Sequence, residues 1–199
     1  MHVQAILFDI GGVVVKDLGL RESARKTLGI ADADTFWNSF NEAVLPACRG
    51  EEELADAWLR MGRELDIPVS EQISKYLWQG DYEANIEIDR ELLDFVRSLR
   101  SSVKTGVISN TVEEHAAILR KLGVYEPFDE VVLSHEVGIT KDSPEIFELA
   151  LDRLELPASS VVFIDDVERY RKVAEDVGMT AFLYRDLPDL CEKMELLGF

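Results

Sequence analysis

Positive charge is scarce in this chain: 21 Lys and Arg stand against 39 Asp and Glu, a formal net charge of -18 over 199 residues. So acidic a protein has nothing to attract a phosphate backbone or an anionic lipid surface, which excludes nucleic acid and membrane as expected partners. An anionic small substrate would need a local cation, and a divalent metal is the simplest source of one. Cysteine is scarce too. Cys48 and Cys191 fit no metal-site spacing and build no disulfide framework, so free thiols in a reducing compartment, the cytoplasm, are expected. No apolar run is long enough to span a bilayer, and the first is cut by Asp9 and has no basic lead, unlike a signal peptide. Internal repeats, low-complexity tracts and linkers are also missing. With 47% hydrophobic and 30% charged residues, the chain can bury a full core as one domain with an insertion or as two small domains. A monomer and a homodimer are equally compatible with it.

What the chain does have is a set of short buried runs that stop on polar residues. Val3 to Val15, VQAILFDIGGVVV, opens with apolar residues too few for an ordinary helix, the pattern of a strand covered on both faces. It ends on Asp9, then Gly11 and Gly12, at the carboxyl end where open α/β sheets bind ligands. Asp9 alone could equally be a turn former or a helix cap. Val103 to Ile108 repeats the design and ends at Ser109 and Asn110. Thr111 with Glu114 is spaced as a capping box, which would leave Ser109 free to bind an anion at the helix entry. A short strand, Val131 to Ser134, is followed by Lys141 and by Ser143 and Pro144, which read as the cap and first residue of another helix. Lys141 is either plain solvated charge or a cation placed to pin a carboxylate and a phosphoryl oxygen together. Finally Val161 to Ile164 ends on Asp165 and Asp166, neighbouring acids that repel unless a cation lies between them, and so are candidate metal ligands.

Between the first strand and Ile88 the period changes to that of helices. Arg21 to Leu28, Asp34 to Ala47, Glu51 to Leu65 and Ser70 to Leu77 predict a four-helix insertion over residues 17–87, rich in aromatics including Trp37, Phe40, Trp58, Trp78 and Tyr82. Those aromatics read first as the insertion's own core, and alternatively as a cap that covers the strand ends and selects substrate. Arg49, beside Gly50 at a turn of the insertion, is a candidate second anion contact. The alternation of elements predicts a doubly wound parallel five-stranded sheet in residues 1–16 and 88–199, with the cap inserted.

FDIGGVVV, VISN, Lys141 with SPEIFELAL, and VVFIDD, in this order, resemble the four motifs of the haloacid dehalogenase-like hydrolase superfamily, and the insertion resembles its C1 helical cap. The resemblance implies a Rossmann-like sheet of order 3-2-1-4-5. It implies a Mg2+-dependent phosphatase acting on a small phosphorylated metabolite, such as a sugar phosphate, through an aspartyl-phosphate on Asp9. Mg2+ would be held by Asp9, the carbonyl of Gly11 and Asp166, with Asp165 assisting, while Ser109, Asn110 and Lys141 hold the phosphoryl oxygens. Three positions depart from the family's pattern. Gly11 stands where phosphatases of this group carry a second Asp as general acid, Asp142 replaces a Pro, and Tyr170 stands where Asn is common. Glu51 or His115 could supply the missing proton. A 2-haloacid dehalogenase and a noncatalytic binding protein of the same fold are the competing readings; the paired acids weigh against the first, and Gly11 keeps the second open.

Overall fold

A computed structural model describes residues 2–16 and 20–199, with backbone only for Leu20, Arg21, Trp78, Gln79 and Asp81. Asp17, the expected start of the insertion, and the Trp78 side chain lie outside the described residues. The strands are β1 (Ala5–Phe8), β2 (Val15–Lys16), β3 (Glu87–Ile88), β4 (Lys104–Ser109), β5 (Glu130–Leu133), β6 (Val161–Asp165) and β7 (Thr180–Leu183). Five of them form one parallel sheet in the order β5-β4-β1-β6-β7. Counted within the sheet this is 3-2-1-4-5, so β1 is central and the order reverses beside it.

The alternation of side chains along each strand divides the core into two layers. Ile6, Phe8, Val107, Val162 and Ile164 face one layer, closed by α6 (Arg90–Leu99), α7 (Glu113–Lys121) and α11 (Leu187–Leu197). Ala5, Leu7, Ile108, Val161 and Phe163 face the other, closed by α9 (Glu145–Leu154) and α10 (Glu168–Val177). A strand packed on both sides cannot alternate polar and apolar residues, which is why β1 and β6 read as continuous apolar runs.

The insertion carries α1 (Leu20–Thr27), α2 (Ala33–Cys48), α3 (Leu54–Glu64), α4 (Glu71–Lys75) and α5 (Asp81–Asn85). The last predicted helix therefore does not stop at Leu77. It widens into a π turn over Tyr76–Gly80 and runs on as α5, so the fourth helical stretch is longer than expected and not uniformly α. Phe36, Phe40, Trp58, Met61 and Leu77 form a separate cluster of this unit, so most of its aromatics are its own core. Val13 and Val14 are not strand residues; they turn the chain, and β2 then pairs with β3 as an antiparallel ribbon tied by Lys16 and Glu87 at 2.5 Å. A ribbon of two residues per strand carries no periodic signal, so the sequence did not reveal it.

Three local expectations are corrected. Thr111 and Glu114 form no capping box: α7 starts at Glu113 with no side-chain cap, and Glu114 Oε1 instead accepts from the Leu54 N–H at 3.1 Å. A carboxylate at the positive end of α3 does for the insertion what it was expected to do for its own helix. Ser143 is not the cap of α9, which starts at Glu145 after Pro144 without a side-chain cap. Ser134 is not the last residue of β5 but the first of the short α8 (Ser134–Val137).

Asp129 anchors the β5 edge. It accepts from the Thr105 N–H at 2.9 Å and from Arg100 Nη2 at 2.5 Å. Partial burial opposes its charge, but these donors outweigh it and hold its carboxyl below the usual range. Asp129→Ala should therefore cost about 1–2 kcal/mol at neutral pH. A carboxyl whose folded pKa is depressed stabilises above its unfolded pKa and loses that contribution as pH falls through the folded value. The deficit of the variant in urea melts should accordingly shrink as pH falls below about 4, the value of an ordinary Asp; a deficit independent of pH would disprove the role of the charge.

Candidate active site

The parallel strands deliver their carboxyl ends to one edge. Asp9 follows β1 and its N–H continues the ladder by donating to the Ile164 carbonyl at 2.8 Å. Ser109 and Asp165 end the flanking strands, and Ser134 follows β5. Ser134 is a clamp: its Oγ accepts from the Thr111 N–H at 2.9 Å and donates to the Thr111 carbonyl at 3.1 Å.

Lys141 reaches this edge from the loop before α9. Its Nζ lies 2.8 Å from Asp9 Oδ1 and 2.6 Å from Asp165 Oδ2. Asp9, Lys141 and Asp165 are 5%, 1% and 0% exposed, so Lys141 is not solvated charge; at such burial an unpaired ion would cost several kcal/mol. Burial pushes the Asp9 carboxyl up to about 7, with the Lys141 ammonium pulling it down and Asp165 adding to the rise. Burial also works against the charge of Lys141, yet Asp9 and Asp165 together hold its pKa above that of an ordinary lysine. The second oxygen of Asp165 accepts from the Val167 N–H at 2.7 Å, so this acid faces inward and is committed to position its neighbours. Asp166 is exposed. One oxygen from each of Asp9, Asp165 and Asp166 lies within 4.8 Å of the others.

Gly12 makes room for that cluster. Its φ is +82°, which favours glycine, and a Cβ there would sit 2.1 Å from Asp166 Oδ2 and so displace that carboxylate. Gly11 has neither constraint: nothing lies within 4 Å of the Cβ it lacks.

The sequence matches the haloacid dehalogenase-like hydrolase family over residues 3–171, a span that contains every strand-end residue named above. The chain is a haloacid dehalogenase-like hydrolase. It is 29% identical to the D-ribitol-5-phosphate phosphatase of Bacteroides thetaiotaomicron, over 90% of this chain and 91% of that one. It is 33% identical to the glyceraldehyde 3-phosphate phosphatase of Methanocaldococcus jannaschii, over 94% of this chain and 89% of that one. A HAD family enzyme of B. thetaiotaomicron, solved in complex with magnesium and inorganic phosphate, has the same fold, with TM-score 0.74 and 22% identity over 94% of this chain and 98% of that one.

Two of this hydrolase's departures from the family pattern form one network. Tyr170 Oη accepts from Asn110 Nδ2 at 3.1 Å and from Arg169 Nη2 at 2.6 Å, while Asn110 Oδ1 accepts from the Lys141 N–H at 2.8 Å. The Tyr170 ring also lies 4.7 Å from the Lys141 ammonium, a cation–π contact. Tyr170 thus steadies Lys141 at its backbone, through Asn110, and at its ammonium, and Arg169 Nε pairs with Asp142 at 3.4 Å. The Asn110 side chain is engaged in this network, and Ser109 is buried beside it.

A cavity of about 680 Å³ joins the acids to the insertion. Trp37, Phe40, Asn41, Val44, Leu45 and Cys48 line it from α2, a single helical face by their spacing of three and four. The apolar stripe was legible, but which of its residues face inward and which face the acids was not. Arg49 does not join them. It lies one residue beyond α2, outside the cavity lining, 3.8 Å from Glu51, and Glu51 does not line this cavity either. His115 does, with its ring stacked on Tyr82 at 3.6 Å.

Proposed function

We propose that this hydrolase is a Mg2+-dependent phosphomonoester hydrolase acting on a small phosphorylated metabolite through an aspartyl-phosphate on Asp9, with residues 17–87 as its cap domain. The observation that carries the reading is three clustered carboxylates, Asp9, Asp165 and Asp166, against the single ammonium of Lys141. Two negative charges are left over, the charge of one divalent cation, and an all-oxygen donor set suits Mg2+. Asp9, Asp166 and the Gly11 carbonyl would hold the ion, with Asp165 beside them. When bound it would neutralise acids and phosphoryl oxygens together. Asp9 would form the new bond to phosphorus as the ester P–O bond breaks, and water would then cleave the acyl phosphate to return Asp9 and inorganic phosphate. Ser109, the Asn110 backbone and Lys141 would hold the phosphoryl oxygens. The phosphatase names of the two relatives support this chemistry, as does the fold neighbour solved with magnesium and phosphate. Neither Cys48 nor Cys191 is in a disulfide, which suits the cytoplasm.

The test is turnover of an aryl phosphate with Mg2+ and with a chelator, alongside release of halide from a 2-haloacid. Mg2+-dependent phosphate release alone is expected. Halide release would transfer the assignment to dehalogenation. Gly11 favours the noncatalytic reading, because no side chain there can donate a proton; that reading stands if neither substrate reacts.

Gly12→Ala is expected to push the Asp166 carboxylate aside and raise the Mg2+ concentration for half-maximal activity on the order of tenfold, whereas Gly11→Ala should not. Equal Mg2+ dependence in both variants would remove Asp166 from the ligand set. The protonation of the leaving alcohol gives a further expectation. Lys141 is held charged between two acids and Asp165 is fully hydrogen-bonded, so neither is free to donate. General acid catalysis is worth about a hundred- to ten-thousandfold, and without it single-turnover rates should rise steeply as the leaving group becomes more acidic. A shallow dependence would reveal a donor, with His115 the lining residue to test.

A further inference from the structure

The cavity beyond the acids is mainly apolar where the insertion and the facing helix close it. Trp37, Phe40, Val44 and Leu45 reach it from α2, and Val112 and Leu119 from the sheet side. Trp37 and Leu45 are half-buried; Trp37 packs on Phe36 and Phe40 at the edge of the cap's own cluster, and both residues also face the cavity. Polar groups share the lining, but its cations are paired: Lys16 with Glu87 and Arg169 with Asp142. The Thr111 hydroxyl lies 3.5 Å from the Val112 carbonyl. Asn41 and Glu42 are exposed, and the His115 ring is stacked on Tyr82. A polyol would need a hydrogen-bond partner for each hydroxyl it desolvates, and a second phosphate would need a free cation, which the paired Lys16 and Arg169 do not offer. An aromatic ring needs neither. It would bury its faces against Trp37, Phe40 and the aliphatic wall, and 680 Å³ is ample for a phosphoryl group carrying one.

We infer that the alcohol half of the substrate is apolar and aromatic: the site selects phosphate monoesters of ring-bearing alcohols over polyol phosphates. This rests on the phosphatase reading above and narrows its substrate class. The sugar-phosphate substrates named for the two relatives are thus not expected to be the preferred ones here.

The experiment compares kcat/KM for benzyl phosphate and for a four-carbon polyol phosphate at saturating Mg2+. Both are primary alkyl esters, so the comparison reads the walls rather than leaving-group acidity. Benzyl phosphate should be preferred by about tenfold or more. Trp37→Gln and Leu45→Gln, two half-buried positions, should each narrow that ratio several-fold by lowering the benzyl value more than the polyol value. Mg2+-dependent turnover of the polyol ester at an equal or greater kcat/KM would overturn the inference and leave the phosphatase reading standing. If neither ester reacts, the walls are read by calorimetry, and the phosphatase reading falls only if the aryl phosphate fails as well. Tighter binding of benzylphosphonate than of a hydroxylated alkylphosphonate supports the inference; equal or weaker binding overturns it.

Discussion

Asp9→Asn should remove phosphatase turnover by about a thousandfold or more while leaving the protein folded. The amide has the size of the carboxylate and keeps its place after β1, where the backbone N–H is held by Ile164. It lacks the anionic oxygen that the proposed mechanism bonds to phosphorus, and no neighbour is placed to substitute. Asp165 is turned inward onto Val167 and Lys141, and Asp166 follows β6 on the exposed side. Single-turnover phosphate release by the variant, with circular dichroism as the folding control, measures the effect. Turnover within tenfold of the parent would place the nucleophile elsewhere.

Lys141→Met should be the most destabilising single substitution at the site. The apolar chain fills much the same volume, but Asp9 and Asp165 are then left as buried carboxylates without a counter-charge. Breaking a buried pair in this way costs about 3–5 kcal/mol, which for a chain of this size lowers Tm by roughly 10 °C. The sign with pH follows from which form is penalised. Without Lys141 the folded state disfavours the ionised acids, so the loss is largest above pH 7 (about three units above an ordinary Asp) and shrinks on acidification as they take up protons. Added Mg2+ should restore part of the melting temperature without restoring the hydrolysis rate, since Lys141 is also proposed to hold the phosphoryl group. A melting temperature within about 2 °C of the parent in chelator at pH 8 would show that the acids are not left unpaired.

The two substitutions draw on different parts of the site, and only one part was written in the sequence. Asp9, Ser109 and the two aspartates after Ile164 were legible because a buried parallel strand must be apolar throughout and must stop where it leaves the core. The four runs therefore announced both the sheet and the edge at which their polar ends meet. Lys141 could only be offered as either a solvated or a buried charge. Its burial depends on the loop from α8 to α9 folding over the ends of β1 and β6, contacts that span 132 positions to Asp9 and 24 to Asp165 and have no period to detect. The partners of Tyr170 and Asn110 escaped for the same reason.

Capping was the weakest guide. Thr111 and Glu114 have the spacing of a capping box, but that motif gives only a kilocalorie or so, and docking the insertion offered Glu114 a better use at the start of α3. Arg49 failed similarly: a sequence gives the turn at the end of α2 but not the direction in which the next side chain leaves it. Gly11 and Gly12 look alike in sequence, yet a side chain is tolerated at one and meets Asp166 at the other.

The sequence by itself determined the parallel sheet, its helical insertion and the acids at its edge, because each follows from local hydrophobic period and from where that period stops. The tertiary structure alone decided which acid faces inward, which cation stands between them and which face of α2 looks into the cavity. Those are settled by long-range packing, where a few kilocalories of burial and charge pairing outweigh any local preference.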